Sequence, residues 1–148
     1  MPVFRCVDLT ADDMELIEYA RQIVDLHGEG LVHSMGAAVR DQAGRMHGGI
    51  NLFHFTGGPC AELVTLGNAR AQGARELTTI VAVGDEGRGP VGPCGRCRQI
   101  LLDYHPRIRV LLPTASGVKS VRITDLMPLA ARWDAAEGAQ PFDAGVFE

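Results

Sequence analysis

Two short segments hold most of this chain's chemistry: Pro59-Cys60-Ala61-Glu62 and Pro93-Cys94-Gly95-Arg96-Cys97-Arg98-Gln99. Each places a cysteine directly after a proline, where a turn gives way to helical periodicity. Proline suits the first turn of a helix. The unpaired N–H groups and the dipole at that end favour a thiolate. Cys94 and Cys97 are three residues apart and therefore neighbours on one helical face. With Zn–S bonds of about 2.3 Å, two sulfurs on one tetrahedral zinc lie about 3.8 Å apart, which this spacing permits. Cys60 becomes a third ligand if the two helix starts point at each other. Three protein ligands leave one position for water, as in a catalytic zinc site; a structural site closes with a fourth.

Glu62 lies two residues beyond Cys60, roughly opposite it on a regular helix wheel. It still reaches a metal near the helix axis, because helical side chains tilt toward the N-terminus. A carboxylate there can shuttle the proton of a zinc-activated water. Cys-Ala-Glu followed by Pro-Cys-x-x-Cys matches the three-cysteine form of the zinc deaminase signature. The expected chemistry is hydrolytic: water attacks the amine-bearing carbon of a cytosine-type ring, Glu62 moves the protons, and ammonia leaves. Three thiolates leave the zinc centre net negative. Arg96 and Arg98 are candidates to offset this by donating hydrogen bonds to the sulfurs.

The elements that must position these groups are legible in outline. Thr10 reads as an N-cap, with Asp12 and Asp13 in the first turn and Gly28 as the stop. Residues 33–39 and 46–52 flank Asp41-Gln42-Ala43-Gly44 as a hairpin. Pro59 opens a helix to about Ala71, Leu77–Val83 is a buried strand, and Pro93 opens a helix that stops before Pro106. Residues 108–112 and 118–123 are strands, followed by a short helix near 125–129. The order α-β-β-α-β-α-β-β-α implies a three-layer α/β/α fold around a five-stranded mixed sheet. Only Pro113 to Gly117 join the last two strands, so that pair is expected to be antiparallel. Residues 1–133 read as one zinc-dependent domain and 134–148 as an acidic tail, expected to be either mobile or packed on a neighbouring subunit through Phe142 and Phe147.

The 148 residues carry 18 acidic and 14 basic side chains, a net charge of −4. Asp134, Glu137, Asp143 and Glu148 account for four of the acids, leaving the remainder balanced. No basic field marks a nucleic-acid binder. No apolar run approaches the ~18 residues of a membrane span, and the N-terminus lacks a secretory signal. The expected compartment is the cytoplasm, where clustered cysteines point to metal or catalysis before disulfides. Three rivals stand beside the deaminase. A structural zinc module would need Cys6 or His54 as fourth ligand. A nucleic-acid deaminase would need a basic groove. A dithiol redox protein would leave Cys60 and Glu62 without a role.

These motifs resemble the cytidine deaminase family, more closely its blasticidin S deaminase branch. The likeness runs from about residue 33 to Trp133. It is densest in His54-Phe55-Thr56-Gly57-Gly58-Pro59-Cys60-Ala61-Glu62-Leu63 and from Arg88-Gly89 through Pro93 to Gln99. The resemblance implies a homotetramer, Zn²⁺ in each subunit, and sites completed across interfaces. It also implies a small cytosine-type substrate rather than a polynucleotide, since the nucleoside enzymes have an antiparallel final strand pair. By the same resemblance, Ala61, Asn51, Phe53, His33 and Trp133 are candidate substrate contacts. The Asn-x-Glu with which cytidine deaminases grip the ribose reads Asn51-Leu52-Phe53 here, and blasticidin S deaminase likewise has an aromatic residue at the last position. His33 stands where cytidine deaminases stack a Phe on the base. The Tyr that precedes the C-terminal Trp in blasticidin S deaminase is Ala131. Blasticidin S-like nucleosides, cytidine or deoxycytidine, and another aminopyrimidine or aminotriazine remain open as substrates.

Overall fold

The structure, a computed structural model, describes residues 5–134. The acidic tail beyond Asp134, with Phe142 and Phe147, lies outside the described residues. After a short β1 (Cys6–Val7), α1 spans Ala11–His27. Its Thr10 cap accepts from the Asp13 N–H while the Asp13 carboxylate accepts from the Thr10 N–H, a reciprocal capping box. Next come β2 (Met35–Asp41), β3 (Met46–Ile50), α2 (Ala61–Ala71), β4 (Leu77–Gly84) and β5 (Gly89–Val91). The chain then forms α3 (Gly95–Tyr104), β6 (Arg109–Thr114), β7 (Gly117–Arg122) and α4 (Ile123–Leu126).

One mixed sheet runs in the order β1-β7-β6-β4-β2-β3, with β5 paired to β4. β4 and β6 are parallel, joined across α3; the other pairs are antiparallel. The expected five strands become seven, because the short β1 and β5 also join the sheet. Neither is long enough to show an alternating pattern. β6 and β7 do form the antiparallel hairpin, turning on Ala115 and Ser116 alone. The last helix falls at 123–126, earlier than 125–129.

Side chains alternate across the sheet as the two-residue strand period requires. Ala38, Val81, Val83 and Leu111 face Leu16, Ala20 and Val24 of α1. Val39, Ile80 and Val110 face the other way, onto Ala69 of α2 and Leu101 and Leu102 of α3. Helices therefore cover both faces, giving the expected α/β/α layers. The packing is close. A Cβ at Gly36 would meet the Ala20 carbonyl oxygen at 2.6 Å, and one at Gly49 would meet Thr65 Oγ1 at 2.8 Å.

Both site helices begin later than their prolines suggest. Cys60 and Cys94, not Pro59 and Pro93, are the N-caps, with extended backbones (φ −63°, ψ 156° and φ −67°, ψ 168°). A residue at the cap precedes the helical spiral, so its side chain is not bound to the helical wheel.

Candidate active site

Three strand ends converge where the cysteines lie. Met35 pairs with Gly84 and Gly36 with Ile50, so the start of β2 and the ends of β3 and β4 share one end of the sheet. The chain leaves β3 there, loops, and returns to α2: the Leu52 N–H donates to the Pro59 carbonyl at 3.1 Å. A Cβ at Gly58 would lie 1.7 Å from the Leu52 carbonyl oxygen, so only glycine closes that loop. β4 and β5 deliver α3 to the same end.

The three sulfurs of Cys60, Cys94 and Cys97 lie within 4.8 Å of one another. Cys60 Sγ and Cys94 Sγ are 3.7 Å apart, against about 3.8 Å for two thiolates on one tetrahedral zinc. Among the described residues no fourth ligand atom joins this cluster. Cys6 pairs with Val121 through its strand, and the His54 ring stacks on Phe55, so neither closes the site. Glu62 stands beside the cluster, its Oε2 3.8 Å from Cys97 Sγ, and is buried. Because Cys60 sits at the cap rather than on the wheel, both it and Glu62 reach the cluster.

The electrostatics of the three thiols point the same way. Burial, then the Glu62 and Cys60 charges, push the Cys97 thiol far up. Burial pushes Cys60 up as well. Burial also opposes ionisation of Cys94, yet the helix-start N–H groups of Cys97 and Arg96 and the neighbouring thiols hold it below the ordinary thiol value. Glu62 is raised by burial, partly offset by its own backbone N–H and by Cys97. Two thiols and a carboxyl thus resist ionisation unless a positive charge stands among them, which a divalent soft-ligand metal supplies.

Thr65 anchors this arrangement and was not apparent from the motif. Its hydroxyl donates to the Ala61 carbonyl at 2.8 Å and lies 3.3 Å from the Ala37 carbonyl. Ala61 itself is fully buried with Ala37 and Ala82, so the peptide between Cys60 and Glu62 is fixed against β2 and β4. The only signal was a hydroxyl four residues after Ala61, on the helical face toward the sheet.

The other expected site residues take varied places. Arg96 is exposed in the first turn of α3 between Cys94 and Cys97, and no described contact links its guanidinium to a sulfur. Arg98 acts on the backbone instead: its Nε donates to the Pro93 carbonyl at 2.9 Å. The Asn51 amide holds a neighbouring loop, with Oδ1 accepting from the Ser34 and Met35 N–H groups and Nδ2 donating to the Val32 carbonyl at 3.3 Å. His33 Nδ1 lies 2.8 Å from the Asn51 carbonyl. Phe53 is 66% exposed on the loop that leads into Cys60. Arg88 bridges Asp85 and the Ser34 carbonyl. Trp133 is not placed with the cysteines: its backbone N–H donates to Asp103 near the far end of α3.

Three sulfurs that could share one metal ion, beside a buried carboxylate on an α/β/α sheet, are the class of site that a hydrolytic metalloenzyme needs. The chain is 30% identical over 131 residues to a blasticidin-S deaminase of Bacillus cereus, covering 82% of this chain and 94% of that one. A cytidine deaminase of Halalkalibacterium halodurans is 33% identical over 98 residues, 64% of this chain and 74% of the relative. The crystal structure of cytidine deaminase from Burkholderia pseudomallei superposes with a TM-score of 0.66 at 29% identity, covering 82% and 99% of the two chains. No family model matches. The chain belongs to the cytidine deaminase family, and its Cys60, Cys94 and Cys97 cluster is able to hold the zinc that the family uses.

Proposed function

We propose that this enzyme deaminates the 4-amino group of a cytosine nucleoside or nucleoside analogue of the blasticidin S type, with Glu62 as proton carrier. The supporting observation is the buried Glu62 carboxylate 3.8 Å from Cys97 Sγ, beside a sulfur triad with no fourth ligand among the described residues. When bound, zinc supplies a water activated for attack at neutral pH. Glu62 accepts the proton that water loses as its oxygen joins the ring carbon. Glu62 passes that proton to the ring nitrogen, then takes the proton of the newly added hydroxyl and passes it to the departing amine. The C–N bond breaks, ammonia leaves, and a carbonyl remains. Burial favours the protonated form of Glu62, which suits a group that must return its proton to substrate.

The sugar end of the site favours an analogue over cytidine. The Asn51 amide is occupied by the 32–35 backbone, and Phe53 brings an apolar ring where a carboxylate would engage hydroxyls. Ordinary cytidine or deoxycytidine deamination is the second reading, favoured by the likeness to the Halalkalibacterium halodurans and Burkholderia pseudomallei proteins. The antiparallel β6–β7 pair supports a free small molecule over a polynucleotide. No described helix is long and apolar enough to cross a membrane. A cytoplasmic homotetramer is part of this reading.

The test is ammonia release by zinc-loaded protein across blasticidin S, cytidine, deoxycytidine, cytosine and related aminopyrimidines and aminotriazines. Preference for blasticidin S supports the first reading and preference for cytidine the second. No release from any aminated ring would overturn both.

A further inference from the structure

We propose that the Met35 thioether, held by Arg88, is a wall of the substrate site that contacts the aminated ring. This rests on the deamination proposed for the enzyme and adds the side chain of the sheet that the ring meets. Side chains alternate across β2 and β4, and cross-strand partners share a face. Val39 and Ile80 face α2 and α3. The pairs Ala37–Ala82 and Met35–Gly84 therefore take the same face, one and two rows nearer the sheet end that carries the cysteines. Ala61, between Cys60 and Glu62, lies against Ala37 and Ala82, and Met35 packs on these three alanines. Alanine methyl groups and a bare Gly84 fill little of the space beside Ala61. Of those two paired rows, only Met35 has a side chain long enough to reach into it.

Met35 is fixed at both its backbone and its side chain. The Asn51 Oδ1 accepts from the Met35 N–H at 3.0 Å, and the Asn51 N–H donates to the Met35 carbonyl at 3.1 Å. Arg88 Nη2 approaches Met35 Sδ at 3.6 Å while donating to the Ser34 carbonyl at 3.0 Å and to Asp85 Oδ1 at 2.8 Å. The guanidinium lies over Gly84, where a Cβ would come within 2.7 Å of Arg88 Nε, so glycine there admits it. The thioether thus rests on alanines, is flanked by a guanidinium, and stays only half-buried. Free methionine side chains sample several rotamers, and ordering one on binding costs affinity. Arg88 meets that cost before a ligand arrives. A polarisable sulfur makes favourable contacts with aromatic rings, and the half-buried face of Met35 is available for one beside Ala61.

The contact is read by equilibrium binding to zinc-loaded protein in a Glu62→Gln background, where turnover does not interfere. Cytosine, cytidine and blasticidin S serve as probes, since all three carry the same aminated ring. Met35→Ala should weaken each by a common factor of about 10. Arg88→Gln keeps Met35 but frees its side chain, and should weaken each by a common factor of about 3. Met35→Leu keeps the apolar volume and should bring binding back to within about 3-fold of the Met35 protein. Zinc content of one per chain in every variant shows that the cysteine cluster is intact. Weakening confined to cytidine and blasticidin S would put Met35 at the sugar end and overturn the proposal. Unchanged binding in Met35→Ala, or failure of all three probes to bind the Met35 protein, would overturn it as well. Ring binding that depends on Met35, in a protein with Glu62 that releases no ammonia, would support the wall while overturning the deaminase reading. Ammonia release with ring binding indifferent to Met35 would do the reverse.

Discussion

Glu62 can be tested apart from the metal, because it stands beside the sulfurs without being one of them. Glu62→Gln keeps the three cysteines and the fold, so zinc content measured by atomic absorption should stay at one per chain. Its kcat should fall by about 10²- to 10⁴-fold, the range for a lost general acid–base group. Arg98 makes a different prediction. Since it holds the Pro93 carbonyl rather than a sulfur, Arg98→Met loosens the cap residue Cys94 and should weaken zinc affinity roughly 10-fold, as measured by chelator competition. Arg96→Met, whose guanidinium makes no described contact with a sulfur, should leave that affinity nearly unchanged. The convergence of the three cysteines and the carboxylate beside them were legible because residue type and spacing carry that much. The different contacts of Arg96 and Arg98 were not, since two arginines flanking Cys97 look alike until the helix start is located.

The β2–β3 hairpin is held by one buried carboxylate. Asp41 accepts from the Ala43 and Arg45 N–H groups through Oδ1, and from Arg45 Nε and His47 Nε2 through Oδ2. The His47 hydrogen bond, then Arg45 and Ala43, outweigh burial and depress its carboxyl from 3.8 to about 2. A depressed carboxyl contributes stability that is complete above its ordinary value and disappears as pH falls through the folded value. Asp41→Asn should therefore cost about 2 kcal/mol in urea unfolding at pH 7, and the gap to the parent should close as pH falls from 4 toward 2. A second element-level prediction concerns the α1 layer. Gly36→Ala drives a methyl group against the Ala20 carbonyl oxygen, so the helix must shift, at about 1–3 kcal/mol by the same measurement. Neither effect is visible in the sequence. Asp41 reads as an ordinary turn residue, and a glycine's close approach to a helix leaves no mark in periodicity.

Across the whole molecule, the layer architecture and the antiparallel β6–β7 pair followed from hydrophobic runs and connection lengths, which are properties of long segments. What escaped was short. The two-residue β1 and three-residue β5 are too brief to pattern, and the placement of Trp133 at the far end of α3 depends on tertiary contacts with Asp103 and Tyr104. The same three-sulfur site couples folding to metal. Stripping zinc should lower the melting temperature as well as abolish turnover, and re-addition of zinc should restore both; a melting temperature indifferent to chelation would argue against ligation by all three cysteines. The most direct test is zinc X-ray absorption on the loaded protein. Three sulfur scatterers at about 2.3 Å and one oxygen at about 2.0 Å are predicted, the latter displaced by a substrate analogue. A shell of four protein ligands, or one without sulfur, would contradict an open three-cysteine zinc centre.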